Sequence, residues 1–136
     1  MTFDPNGMEV LEKDDCLLLL SGASTGRVSV TMDALPVIIP VSFVLTGTRV
    51  TFPTGTDPKL LAAIDGAVVA FEADGCDLGA RIGWSVLVQG VGQVTDTAAD
   101  HSGFPLGAVW AGAGLGLVVS LETDRISGRR TSRVMG

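Results

Sequence analysis

Arg49-Val-Thr-Phe-Pro-Thr-Gly-Thr-Asp-Pro-Lys-Leu-Leu-Ala-Ala-Ile-Asp-Gly66 is the stretch whose reading decides the fold. Val50 and Phe52 alternate with polar neighbours, as at the end of a half-buried strand. Thr54-Gly55-Thr56 is turn material. Asp57 then stands at a helix N-cap, Pro58 at the first helical position and Gly66 just past the last turn. Leu60, Leu61 and Ile64 fall on one face of that short helix. A strand feeding a helix through Thr-Gly-Thr turns backbone N–H groups and two hydroxyls toward one place, with Lys59 in the helix's first turn. Such a set suits a phosphate. It equally describes an ordinary joint with a solvated lysine and Asp57 competing for the same donors.

Working outward, the period is two on both sides of this joint. Arg27–Asp33 alternates Val28, Val30 and Met32 with polar residues, and Pro36–Leu45 is nearly continuous Val, Ile and Phe despite Pro40. A run of that kind reads as a strand covered on both faces. Thr46-Gly47 is expected as the two-residue turn into Arg49–Phe52. Beyond the short helix, Ala67–Ala73 is another apolar strand. Arg81–Thr95 is the longest candidate, and Gly90 and Gly92 within it suggest a bulge or corner. Leu117–Arg130 reads as a strand pair interrupted at Thr123-Asp124. Upstream, a short strand at Met8–Leu11 precedes a helix over about Lys13–Gly22. Residues 1–10 read as a loose start, 97–116 as Gly- and Ala-rich with weak helical content, and 131–136 as a tail. These elements predict one mainly β domain over 1–136, an antiparallel barrel with short helices.

The 136 residues carry a net charge of −6, with nine Lys and Arg, four of which (Arg125, Arg129, Arg130, Arg133) cluster at the C-terminus. That balance argues against nucleic acid as a partner. Hydrophobic residues make up 46% and charged ones 18%, with a mean hydropathy of +0.45; surplus apolar surface usually ends in an interface. Val37, Ile38, Ile39, Val41 and Phe43 cannot all face one interior, because neighbours along a strand point to opposite faces. A homodimer burying more than roughly 2,000 Å² is therefore expected. No apolar run reaches membrane-spanning length. Asp4, Glu9, Glu12, Asp14 and Asp15 stand where a signal peptide has basic residues, so the protein is expected in the cytoplasm.

The sequence shows no metal or nucleophile motif. One histidine and two cysteines make no ligand set. Gly112-Ala-Gly-Leu-Gly116 lacks the spacing and preceding strand of a dinucleotide loop. Gly83-Trp-Ser85-Val-Leu87 has no second glycine and lies within a strand, so it is no nucleophile elbow. His101 sits in a polar segment. Any chemistry is expected to be a cofactor's, and no catalytic side chain is assigned.

The order of Thr25-Gly26-Arg27-Val28, Leu35-Pro-Val-Ile-Ile-Pro40-Val41-Ser42-Phe43, Val50-Thr-Phe-Pro-Thr54-Gly55-Thr56-Asp-Pro-Lys59, Gly66-Ala-Val-Val-Ala-Phe71-Glu72, Gly83-Trp84-Ser85 and Ile126-Ser-Gly128-Arg129-Arg130 resembles the small actinobacterial members of the pyridoxamine 5′-phosphate oxidase-like family, over about residues 11–131. The resemblance implies a six-stranded antiparallel split β-barrel that dimerises through its sheet. Two FMN molecules would lie in clefts touching both chains. Carried over, Thr54, Gly55, Thr56 and Lys59 hold the phosphate, Val41 and Ser42 present strand backbone to the ring, Trp84 and Ser85 line the cleft, and Trp110 reaches the partner's flavin. Pro53 and Gln89 stand where the family often has arginine. The resemblance thus implies an FMN- or deazaflavin-dependent oxidoreductase acting on a small molecule, with a non-catalytic flavin-binding or degenerate dimer as the alternative.

Overall fold

The computed structural model describes residues 1–55, 57–95 and 117–131; Thr56, the 96–116 segment with His101, Trp110 and Gly112–Gly116, and residues 132–136 lie outside them. Eleven strands and two helices follow in the order β1 (Thr2–Phe3), β2 (Glu9–Leu11), α1 (Lys13–Ser21), β3 (Thr25–Met32), β4 (Leu35–Ser42), β5 (Val44–Thr46), β6 (Arg49–Gly55), α2 (Pro58–Ile64), β7 (Val68–Asp77), β8 (Ile82–Val91), β9 (Gln93–Thr95), β10 (Leu117–Glu122) and β11 (Arg125–Arg130). Among the described residues they pair, all antiparallel, as a seven-stranded sheet β1-β2-β11-β8-β7-β3-β4 and a four-stranded sheet β5-β6-β10-β9.

The two sheets are one barrel because two strands change sheet midway. β4 runs into β5 through Phe43, and β8 into β9 through Gly92. Counting each as one strand closes a ring of six: β6, β5/β4, β3, β7, β8/β9, β10 and back to β6. That is the six-stranded split barrel, with β11, β2 and β1 added beside β8, where β11 pairs along Trp84 to Gln89. Gly92 allows its corner. A Cβ there would lie 2.7 Å from Ile64 Cγ2 and 2.9 Å from the Ile64 carbonyl oxygen, so only glycine lets the end of α2 seat against the strand. Gly66 N–H donates to the Gly92 carbonyl and Gly92 N–H to that of Ala67, both at 2.9 Å.

Alternation does the rest. Val28 and Val30, Val69 and Phe71, Val86 and Val88, Val50 and Phe52, Val119 and Leu121 point inward and are buried. Phe71 is the centre, 4.8 Å edge-on from Phe43 and 6.2 Å stacked on Phe52. α1 closes one end with Cys16 and Leu20; burial pushes the Cys16 thiol up.

Three expectations shift. The run at Pro36–Leu45 is covered on one face only: Val37, Ile39 and Val41 face the barrel, while Ile38 is 68% exposed. Among the described residues, none of the buried core packs over that second face. The hairpin turn is Gly47-Thr48, one residue later than read, since Thr46 pairs with Arg49 and Gly47 takes the positive φ of 63° that the first turn position requires. The long strand breaks at Gly92, while Gly90 stays within β8. β4, with Pro36 and Pro40, is the last strand of its sheet.

Candidate functional site

At the pivotal joint the helix forms as its caps dictate. Asp57 Oδ1 accepts from the Lys59 N–H at 3.0 Å, Pro58 occupies the first turn, and Gly66 follows with φ 73°. Thr54 is buried, and its hydroxyl donates to the Leu117 carbonyl of β10 at 3.4 Å. Gly55 is left-handed at φ 76°. Lys59 Nζ lies 2.5 Å from Asp33 Oδ2, with both side chains largely exposed. Thus the Thr54 hydroxyl faces a neighbouring strand, and the lysine reaches the tip of the β3–β4 hairpin. Thr56 lies outside the described residues.

Val41 and Ser42 sit at the other end of β4. Phe43 joins them to β5, whose Val44 pairs with Thr51 of β6, and β4 itself contacts β6. The end of β4 with Val41 and Ser42 is thus tethered beside β6, the strand that ends in Thr54 and Gly55. Ser42 is 1% exposed, and its Oγ is, among the described residues, the one buried side-chain polar atom with no hydrogen-bond partner. An unpartnered buried hydroxyl costs about 1–3 kcal/mol, so it marks a place where a ligand has something to offer.

Trp84 and Ser85 lie across the sheet. Ser42 pairs with Thr25 on β3, and Ser85 with Asp74 on β7. The Arg27↔Glu72 register puts Thr25 and Asp74 in one row. Ser42 and Ser85 are thus three strand spacings apart, about 14 Å, too far to share a contact within one chain. Trp84 is half-buried, with its indole nitrogen against Gly75, where a Cβ would come within 2.7 Å. It borders an open groove of about 370 Å³ with Ser85, Cys76 and Met8. Trp110 lies outside the described residues.

Two features of this region escaped the sequence reading. Asp33 and Ala34 form a two-residue turn with φ of 53° and 63°; an aspartate in that conformation is the available signal, and alanine masks it. The second is a charge cluster on the outer sheet face, where Arg27 Nη1 lies 2.7 Å from Glu72 and 3.3 Å from Asp74. Partial burial, with Asp74 alongside, pushes the Glu72 carboxyl up against the pull of Arg27. The cluster lines a groove of about 360 Å³ floored by Ile38, Ala70 and Leu87. Among the described residues, no three His, Cys, Asp or Glu side chains are placed to hold a metal ion, and no helix is long and apolar enough to cross a membrane.

A six-strand ring split between two sheets defines the split-barrel class. The chain belongs to the pyridoxamine 5′-phosphate oxidase family, whose sequence profile matches residues 12–130. It is 34% identical over 126 residues to the uncharacterized protein Rv0080 of Mycobacterium tuberculosis, covering 88% of this chain and 83% of that one. Among solved structures, it is similar to an FAD-binding protein of Mycobacterium smegmatis, with 30% identity and a TM-score of 0.71 over 92% of this chain and 99% of the other. An FAD-binding protein of Mesorhizobium loti shares the fold at 16% identity, with a TM-score of 0.69 over 92% and 99% of the two chains.

Proposed function

We propose that this protein is a flavin-binding oxidoreductase of the cytoplasm, acting as a homodimer on a small molecule. The observation that carries the reading is the likeness to the Mycobacterium smegmatis FAD-binding protein, at 30% identity over nearly the whole of both chains. The residues present fit such a group. Ser42 offers a buried hydroxyl without a partner, Gly55 a left-handed turn for close backbone approach, and Lys59 a cation whose present partner is exposed and exchangeable. Val41 and Ser42 take the ring edge, and Thr54, Gly55, Thr56 and Lys59 the phosphate. Trp84, Ser85 and Trp110 line the cleft from the second chain, which accounts for the 14 Å that separates Ser85 from Ser42. A bound flavin would supply the electron transfer, and these residues would hold its ring and phosphate. Cys16 and Cys76, both unpaired, suit a reducing compartment.

FMN is the cofactor the resemblance implies. A second reading, a deazaflavin, FAD or no tightly held flavin, is favoured by the Lys59–Asp33 pair and by neutral Pro53 and Gln89, which leave little free charge for a phosphate dianion. Releasing the cofactor from native protein and weighing it by mass spectrometry distinguishes these forms. Stopped-flow reduction by a nicotinamide or a reduced deazaflavin then tests turnover. Protein that purifies colourless and gives no binding signal on titration with FMN, FAD or a deazaflavin is the non-catalytic dimer.

A further inference from the structure

The outer face of the seven-stranded sheet carries a charge pattern that the flavin reading leaves unused. Pairing registers place Arg27, Glu72 and Leu87 in one row, Ile38, Ser29, Ala70, Gln89 and Arg125 in the next, and Asp74 with Ser85 on the other side. Residues of these rows share one face because they alternate with the buried Val28, Phe71 and Val88. Two carboxylates meet a single guanidinium at Arg27, so the cluster keeps one negative charge in excess. Among the described residues, Arg125 has no ion-pair partner. It lies two strands and one row from Glu72, about 12 Å away, and borders a second groove of about 290 Å³ with Val68 and Gln89. Between and around these charges the surface is apolar, with Ile38 68%, Val68 76% and Val91 50% exposed.

A face that is acidic in one patch, basic in another and apolar between them is complementary to a copy of itself turned by a two-fold axis, because such an interface sets residue i against j and j against i. We propose that a second copy of this chain docks on this face with its Arg125 against the Glu72–Asp74 pair, and that these two reciprocal contacts fix the register of the dimer. The inference rests on the dimer proposed above and adds which charges meet. It explains why Glu72 and Asp74 share one arginine at the centre of a sheet face. It also gives Arg125 a role beyond a solvated strand end.

The test is a charge swap read by sedimentation equilibrium, with far-UV circular dichroism checking the fold. Arg125→Asp should weaken the dimer at least about tenfold, as loss of one partner of a desolvated pair does, and Asp74→Lys should do the same. The double variant carries the reversed pattern on both copies and should recover to within about threefold of wild type. Should Arg125→Asp fail to fold, the salt dependence of the wild-type dimer serves instead: the proposal requires dissociation to increase with ionic strength. A dimer constant indifferent to Arg125→Asp, a double variant worse than either single, or a salt-independent wild-type dimer overturns the pairing and leaves the flavin reading intact. A wild type that stays monomeric with flavin bound overturns the shared cleft as well.

Discussion

Lys59 Nζ and Asp33 Oδ2 meet at 2.5 Å across the gap between α2 and the β3–β4 hairpin tip. The lysine that the sequence assigns to a phosphate thus already has an anion, supplied by a turn 26 residues away. The pair is exposed on both sides, so it is weak, within about 1 kcal/mol, and a phosphate dianion can displace the carboxylate.

Lys59→Ala should therefore weaken FMN binding by about tenfold or more, since charge-assisted bonds of this kind contribute about 1.5–3 kcal/mol. Asp33→Asn should tighten FMN by about two- to fivefold. Riboflavin, lacking the phosphate, should respond to neither. Fluorescence titration of both flavins into the three proteins measures this, and equal FMN affinity in all three would mark Lys59 as a solvated helix-start lysine.

Ser42 gives a prediction of opposite sign for the free and loaded protein. Removing a buried hydroxyl that bonds to nothing relieves part of its desolvation penalty, so Ser42→Ala should leave the flavin-free protein as stable or up to about 1 kcal/mol more stable. The same variant should show a smaller rise in Tm on adding flavin. A variant clearly less stable without flavin would mean that the hydroxyl has a partner in solution.

Gly92→Ala should destabilise by about 1–3 kcal/mol, because the new methyl meets both the Ile64 side chain and its carbonyl. The backbone cannot yield there without separating α2 from the barrel corner. Urea unfolding with an unchanged slope and a lowered midpoint is the expected result.

Asp4 supplies a pH dependence. Its carboxylate accepts N–H groups from Met8 at 3.0 Å and Asn6 at 2.9 Å, with the Arg129 guanidinium at 3.2 Å. The Met8 N–H is the largest cause holding it below its ordinary 3.8. A depressed carboxylate stabilises the fold above its unfolded value, and that contribution fades as pH falls from 3.8 through the folded value. Asp4→Asn should thus be less stable than wild type at neutral pH, with the gap closing in the acid range below 3.8. Paired thermal melts at pH 7 and below pH 3 read the difference; a constant gap contradicts it.

What could be read in advance was what is local. Asp57, Pro58 and Gly66 write a helix with its caps in ten residues, and alternation at Val28/Val30 and Val86/Val88 identifies the inward face without any partner. The Gly47-Thr48 turn was displaced by one residue because Thr-Gly and Gly-Thr are both acceptable turn pairs, and only the Thr46↔Arg49 pairing decides between them. The Thr54 hydroxyl goes to Leu117, 63 residues on, and the Lys59 ammonium to a hairpin whose alanine conceals its turn; neither is written in neighbouring residues. Pro36–Leu45 is legible only in part for a related reason. An apolar run says that both faces prefer cover, but nothing in it tells whether the same chain provides it.

Pro36 and Pro40 carry a last consequence. They stand on the final strand of the seven-stranded sheet and have no N–H to offer an incoming strand. A polymer growing by strand addition at that border would lack two rungs of its ladder within five residues, so sheet extension into fibres is blocked at the border the barrel leaves open. The chain can thus present a broad apolar face while its proline-bearing border resists strand addition, a mode of growth that has no natural end.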